Sequence, residues 1–87
     1  MILAFDSTHD ALLVEHTMKT KNIAGRIIGT PEHIDASCGM SIRLNDEDLN
    51  RVINEIKSLK VTDVRAFSVN KDASNVEKMY SEIKLFD

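Results

Sequence analysis

An uninterrupted apolar run at the start of the sequence constrains the fold more than any other feature. Residues 1–5 read Met-Ile-Leu-Ala-Phe, without a polar side chain at either set of alternating positions. A strand with one face in water alternates apolar and polar residues, whereas a fully apolar run is typical of a strand covered on both faces. We therefore expect residues 1–5 to form a central strand of a sheet.

The order of the remaining patterns predicts the fold class. Apolar residues at helical spacing indicate one helix from Ser7 or Thr8 to about Asn22 and a second over residues 49–59. Apolar or alternating stretches indicate further strands, at residues 23–28, 40–44 and 61–69. The order βαββαβ predicts an α+β domain of the ferredoxin-like type, with two helices on one face of a four-stranded antiparallel sheet.

A third helical pattern lies at the end of the chain. Residues 74–77 read Ser-Asn-Val-Glu, which matches the reciprocal capping pattern of a helix start. The apolar residues that follow at helical spacing are Val76, Met79, Tyr80, Ile83 and Phe86. We therefore expect a ferredoxin-like domain over residues 1–70, and over residues 71–87 a helix that packs on the open sheet face or on a partner chain.

The composition limits the class of protein and its partners. The 87 residues, 43% of them hydrophobic, suffice for one folded domain. The net charge of −3, with three phenylalanines and one tyrosine, disfavours nucleic acid, which needs a basic surface and aromatic stacking. The longest apolar run, residues 1–5, is too short to span a membrane, and the single cysteine cannot form an internal disulfide. We expect a cytoplasmic protein.

Metal and phosphate sites find little support in the sequence. His9 and His16 lie two helical turns apart, about 10 Å, which is too far to share one ion. His33 and Cys38 together supply two ligands at most. The acidic run 46–48 is explained by the positive end of the helix that follows it, and the glycines around the second strand lack the spacing of a phosphate loop. We therefore expect neither a metal nor a cofactor.

The single cysteine is the strongest candidate for chemistry. Cys38 lies between Ser37 and Gly39, just before a predicted strand. A cysteine that only fills space usually lies inside an apolar stripe, whereas an accessible thiolate is a nucleophile. From the residues alone two interpretations stay open: a reactive thiol displayed on a loop, and an inert side chain packed in the domain.

Short motifs around this cysteine resemble a known family. They are Ser7-Thr8-His9 after the first strand, Thr30-Pro31 after the second, and Ser37-Cys38-Gly39 before the third, within residues 5–12 and 30–39. With Arg43 on the polar face of the third strand, they resemble the selenium/sulfur carrier-like family of small bacterial and archaeal domains, over residues 1 to about 70. The resemblance implies that Cys38 carries sulfur or selenium as a persulfide or selenopersulfide, in the maturation of selenium or molybdenum enzymes.

The resemblance also implies a supporting loop and protein partners. The supporting residues are Thr30, Pro31, His33, Ser37, Gly39 and Arg43. The transferred atom is carried covalently, without a cofactor, from a protein donor such as a cysteine desulfurase to a protein acceptor. We expect a carrier rather than a turnover enzyme, without nucleic acid or membrane as partner, and we leave a homodimer as an open alternative.

The expected topology limits which groups act on the thiol. With the first and third strands parallel, six strand residues separate Cys38 from the turn that carries His9 by about 20 Å, so we expect no activation of Cys38 by His9. Closer candidates are His33, the N-terminal amine, and Lys21 and Lys60 at the ends of the two main helices.

A non-catalytic module is the competing interpretation. Ferredoxin-like domains also bind small ligands or pair edge to edge, and the fold alone does not separate these uses. On this interpretation Cys38 is packed, and the exposed face of the last helix is the functional surface. The accessibility of the thiol separates the two interpretations.

Overall fold

The computed structural model describes residues 1–32, 34, 38–70, 72, 79–83 and 85. In this part of the chain, a five-stranded sheet and two α-helices form a small mixed α/β domain. The helices are α1 (Thr8–Thr20) and α2 (Leu49–Leu59), and a 3-10 turn at Asp46–Asp48 leads into α2. The strands are β1 (Ile2–Phe5), β2 (Gly25–Gly29), β3 (Met40–Leu44), β4 (Val64–Val69) and β5 (Tyr80–Ile83).

The fully apolar first strand lies at the centre of the sheet, as its sequence predicts. The strand order is β2-β3-β1-β4-β5, and every neighbouring pair is antiparallel. Leu3 pairs with Ile42 on one side and with Ala66 on the other. All four residues of β1 are buried, because neighbouring strands take both its edges and other side chains cover both its faces.

The end of the chain differs from the prediction. Tyr80–Ile83 is a strand, β5, which pairs with the outer edge of β4 and places Tyr80 opposite Val69. The helix expected over these residues is therefore wrong, and the described part of the chain has five strands, where four were expected. Tyr80 and Ile83 are three residues apart, so in a strand they point to opposite faces, and each packs against a different apolar cluster. The capping pattern at 74–77 lies outside the described residues.

Both helices pack on one face of the sheet. α1 buries Ala11, Val14 and Met18 at helical spacing against this face. α2 buries Val52 and Ile56 in the same cluster. The sheet contributes the side chains of Leu3, Phe5, Ile42, Leu44, Val64 and Ala66. Full burial of a leucine or phenylalanine contributes about 1.5–3 kcal/mol, so this cluster is the main stabilising core.

A second, smaller apolar cluster lies on the opposite face, which we call the helix-free face. Ile2, Ala4 and Phe67 point to this side, because they alternate with the residues of the main core along β1 and β4. Ile34 comes from the loop between β2 and β3 and is buried against them, 4% exposed. This loop, residues 30–39, therefore supplies part of the cover that the apolar first strand requires.

The start of α1 is fixed directly after β1. Ser7 is the N-cap residue, and its side chain accepts a hydrogen bond of 3.4 Å from the Asp10 backbone N–H. The carbonyl end of β1 and the first turn of α1 therefore lie at the same end of the sheet. Neither helix in the described residues has the length and apolar character that a membrane crossing requires.

Candidate functional site

The antiparallel pairing of β1 and β3 brings the cysteine beside the end of the first strand. Ala4 lies opposite Ser41, so the chain just before β3 runs past the carbonyl end of β1. The parallel arrangement expected for these strands is therefore wrong, and so is the 20 Å separation derived from it. Cys38 lies at the end of the sheet where β1 stops and α1 begins, and His9 lies at the same end.

The sulfur of Cys38 is held by backbone groups. The thiol donates a hydrogen bond of 2.9 Å to the carbonyl oxygen of Phe5. The backbone N–H of Met40 donates to Sγ at 3.4 Å, and the Met40 carbonyl oxygen lies 3.5 Å from Sγ. Cys38 is a free cysteine of intermediate burial, packed in part against the main core. As a residue, Cys38 is thus neither fully exposed nor fully buried.

Hydrogen bonds close the loop that carries the cysteine. The backbone N–H of Thr30 donates to the Gly39 carbonyl oxygen at 3.0 Å. The Thr30 hydroxyl shares a hydrogen bond of 2.7 Å with the hydroxyl of Ser41, which is fully buried. The Ile34 N–H donates to the Pro31 carbonyl oxygen at 2.9 Å, which forms a tight turn after the proline. Thr30 and Pro31 therefore support the loop, and with it the position of Cys38.

Gly39 gives the loop a backbone conformation that other residues rarely adopt. Its φ of 68° lies in the left-handed region, which glycine enters without steric cost. This turn directs the chain from Cys38 into β3 and allows the Met40 N–H to face the preceding sulfur. Backbone geometry thus accounts for the glycine that follows Cys38.

Polar groups from two other segments share this edge of the sheet. The N-terminal turn of α1 begins two residues after Phe5, and helix N-termini carry a positive partial charge. The His9 side chain is 85% exposed, and its Nδ1 lies 3.6 Å from the Asp10 carboxylate. The Asp6 N–H donates to the Asp63 carbonyl oxygen at 3.1 Å, which brings the start of β4 to the same edge.

A comparison with known families matches most of the chain. The family described as "Putative Se/S carrier protein-like" matches residues 1–63. The chain belongs to this family. Its match includes β1, α1, the loop 30–39 and Cys38, and it stops just before β4. No curated protein and no solved structure shows a significant match to the chain.

The other groups expected near the sulfur lie at different ends of the sheet. The N-terminal amine is 3.1 Å from the Asp46 carboxylate, at the end of β1 that lies away from Cys38. Lys21 follows the last turn of α1, and its Nζ is 3.9 Å from the Glu55 carboxylate. It therefore lies one helix length, about 20 Å, from the first turn of α1. Lys60 ends α2 on the side where β4 begins, which is the side of Cys38.

Arg43 lies on the helix-free face, at the end of β3 that is distant from Cys38. It pairs in register with Arg26 of β2 and with Ile2 of β1. His33 and Ser37 lie outside the described residues. The described residues contain no group of three or more histidine, cysteine, aspartate or glutamate side chains that could hold a metal ion.

Sequence reasoning did not identify the groups that contact the sulfur. The Phe5 carbonyl oxygen and the Met40 N–H are backbone groups, so no side-chain pattern marks them. A correct pairing of β1 with β3 would have found the first of them. Sequence reasoning also did not place Arg26 opposite Arg43. One signal was visible, because Arg26 is the only charged residue in β2, whose other residues are glycine and isoleucine.

Proposed function

We propose that this protein is a sulfur or selenium carrier that holds the transferred atom on Cys38. The observation that carries the proposal is the position of Cys38, a residue of intermediate burial whose Sγ is hydrogen-bonded to backbone groups from two segments of the family match. A carrier must keep one sulfur reachable by partners yet protected from general oxidation. A cysteine of intermediate burial, hydrogen-bonded to the backbone on two sides, suits both requirements.

The transfer step needs only the thiolate and a partner persulfide. The Cys38 thiolate attacks the outer sulfur of a persulfide on the donor, and the donor's sulfur–sulfur bond breaks. The donor cysteine leaves as a thiolate, and Cys38 becomes a persulfide, so the sulfane sulfur moves with no net oxidation. An acceptor thiolate then attacks the outer sulfur on Cys38 and releases the Cys38 thiolate. For selenium, the outer atom is selenium and the bonds change in the same way.

The backbone contacts suit the two states of the sulfur in different ways. In the resting state, the Phe5 carbonyl oxygen accepts a hydrogen bond from the thiol. When the thiol proton leaves, the sulfur loses this partner, while the Met40 N–H remains available as a donor to a negative sulfur.

The proposal includes partners, compartment and fold type. The donor is a persulfide-bearing protein such as a cysteine desulfurase, and the acceptor is a protein of selenium or molybdenum-enzyme maturation. A free thiol that must be loaded and unloaded works in a reducing compartment, so we infer a cytoplasmic protein. The strand order β2-β3-β1-β4 with two helices on one face supports a ferredoxin-like type extended by β5.

A non-catalytic module is the second candidate. It is favoured by the hydrogen bond of 2.9 Å from the thiol to Phe5 and by the contact of Cys38 with the main core, both of which suit a structural cysteine. On this alternative the thiol stays with its carbonyl partner, and no partner loads it.

Two measurements on the folded protein separate the candidates. A thiol reagent such as an aromatic disulfide is mixed with native and with urea-unfolded protein, and the rates are compared. Incubation with a cysteine desulfurase and L-cysteine is followed by intact mass spectrometry, with Cys38→Ser as the control. The carrier proposal expects labelling in the native state and a mass gain of one sulfur that Cys38→Ser does not show. Protection of the native thiol together with no mass gain would establish the module instead.

A further inference from the structure

Two arginines face each other on the helix-free side of the sheet. Arg26 of β2 and Arg43 of β3 are direct partners in the antiparallel register, and both are exposed. Side chains at directly opposite positions have Cβ atoms about 4.5–5.5 Å apart, and like charges there are destabilising. A fold that keeps two positive charges in this arrangement bears a cost that a bound anion would remove.

The charges of these arginines are not balanced within the described part of the chain. The ion pairs there use other cations, namely the N-terminal amine, Lys19, Lys21 and Arg51, and His9 lies beside Asp10. Arg65, the third arginine on the same face, differs because its guanidinium carbon lies 5.6 Å from the centre of the Phe67 ring. Arg26 and Arg43 thus form a pair of like charges, and neither makes an ion pair within 4.0 Å among the described residues, although Asp46 and Glu47 line a groove that Arg43 also borders.

A groove lies beside the two arginines. It has a volume of about 470 Å³ and is lined by Ala24, Gly25, Arg26, Arg43, Leu44 and Asn45, without an acidic side chain. Asp46 and Glu47 line an adjacent groove that shares Arg43, Leu44 and Asn45 with this one, and there the Asp46 carboxylate is 3.1 Å from the N-terminal amine. The groove with both arginines, which we call the arginine groove, is therefore positive throughout its charged lining.

We propose that the arginine groove binds a small phosphate ester. Two guanidinium groups supply a charge of +2, which matches a phosphate dianion, whereas a single carboxylate is satisfied by one arginine. Planar guanidinium groups donate paired N–H bonds to phosphate oxygens. The groove volume falls in the range of about 300–1,000 Å³ that is usual for small-molecule sites, so it has space for the organic part of an ester as well as for its phosphate.

This site is separate from the sulfur. Arg43 follows Cys38 by five positions, which corresponds to at most about 17 Å of extended chain, and Cys38 precedes β3 whereas Arg43 lies near its other end. The proposed ligand is therefore not the atom carried on Cys38, and the inference stands whether or not the protein is a carrier.

The test is a titration of the full chain followed by NMR of the arginine side chains. Inorganic phosphate and phenyl phosphate are the probes, and acetate at equal ionic strength is the comparison. We expect saturable changes in the Nε–Hε signals of Arg26 and Arg43, with a phosphate dissociation constant on the order of 1 mM. Phenyl phosphate binds at least as tightly as inorganic phosphate, and acetate binds about tenfold or more weakly.

Substitutions test whether the two arginines act as a pair. Arg26→Gln and Arg43→Gln each weaken phosphate binding by about tenfold or more, because one guanidinium fork is lost. Arg65→Gln removes the same charge from the same face and is expected to change binding by less than about twofold. Far-UV circular dichroism checks that each variant folds; Arg26 and Arg43 are exposed, and Arg65 is of intermediate burial.

Three results would overturn the proposal. The first is no saturable change at Arg26 or Arg43 at phosphate concentrations up to about 20 mM, far above the expected dissociation constant. The second is an equal loss in Arg65→Gln, which would indicate diffuse attraction to a positive surface. The third is acetate binding as strong as phosphate binding, which would contradict recognition of a dianion by two arginines.

Discussion

Replacement of Gly39 by alanine tests how the loop next to Cys38 is built. A Cβ built on Gly39 meets no atom of the described residues within 4 Å, so the substitution creates no steric clash with a neighbour. The cost arises from the backbone alone, because φ is 68° and L-residues in the left-handed region lose about 1–2 kcal/mol. Alanine also restricts the unfolded chain, which returns about 0.4–1 kcal/mol. The net expectation is a loss of about 1 kcal/mol.

Urea unfolding followed by circular dichroism measures this loss. With a slope of about 1 kcal/mol per molar urea for a small domain, the midpoint of Gly39→Ala falls by about 1 M at unchanged slope. Gly39→Asn should lose less, because asparagine tolerates the left-handed region better than alanine. Gly29→Ala is the matched control, since its Cβ also enters open space and its φ is not positive.

The control predicts the opposite sign. Gly29→Ala should leave the free energy of unfolding unchanged or raise it by a few tenths of a kcal/mol, because it only restricts the unfolded chain. Equal stability of Gly39→Ala and the wild type would refute the argument that a left-handed glycine shapes this loop. Equal losses in Gly29→Ala and Gly39→Ala would refute it as well, because the two positions differ in φ and not in the space around Cβ. The loss at Gly39 would then not come from its left-handed backbone.

Three further predictions concern the faces of the sheet and the loop. Without added phosphate, Arg26→Gln or Arg43→Gln should raise the free energy of unfolding by about 0.2–1 kcal/mol at low salt, and the gain should shrink in 1 M NaCl; a loss at low salt would contradict like-charge repulsion. Ser41→Ala should cost about 1–3 kcal/mol in urea unfolding, because the Thr30 hydroxyl loses its 2.7 Å partner; a neutral result would mean that water replaces it. Ile34→Ala should cost about 2–4 kcal/mol and speed native-state labelling of Cys38, since Ile34 anchors the loop; unchanged labelling would separate the anchor from the cysteine.

Local patterns predicted the elements whose signal is strong. The apolar run of β1 specified a central strand, because only cover on both faces satisfies five apolar residues in succession. The helix over Leu49–Leu59 was equally clear from its apolar stripe. The last segment was misassigned, because Tyr80 and Ile83 fit either a helix face or the two sides of a strand. The free edge of β4 decided between them, and a local pattern does not contain that information.

The sequence named a candidate residue but did not predict its surroundings. Cys38 stood out as a cysteine between serine and glycine, and the loop residues Thr30 and Gly39 followed from the resemblance. The neighbours of the sulfur depend on strand direction, which neither strand encodes by itself. Once β1 and β3 pair antiparallel, Phe5 meets a residue 33 positions later in the chain. Register likewise sets Arg26 opposite Arg43, and each arginine alone looks like an ordinary exposed residue.

A full loading and unloading cycle on Cys38 tests the central claim most directly. The protein is incubated with a cysteine desulfurase and L-cysteine, separated from both, and weighed intact before and after addition of a small acceptor thiol. The account predicts a gain of one sulfur on the wild type, its loss to the acceptor, and no gain on Cys38→Ser. A wild-type mass that stays unchanged in the presence of an active desulfurase would contradict the assignment of Cys38 as a carrier.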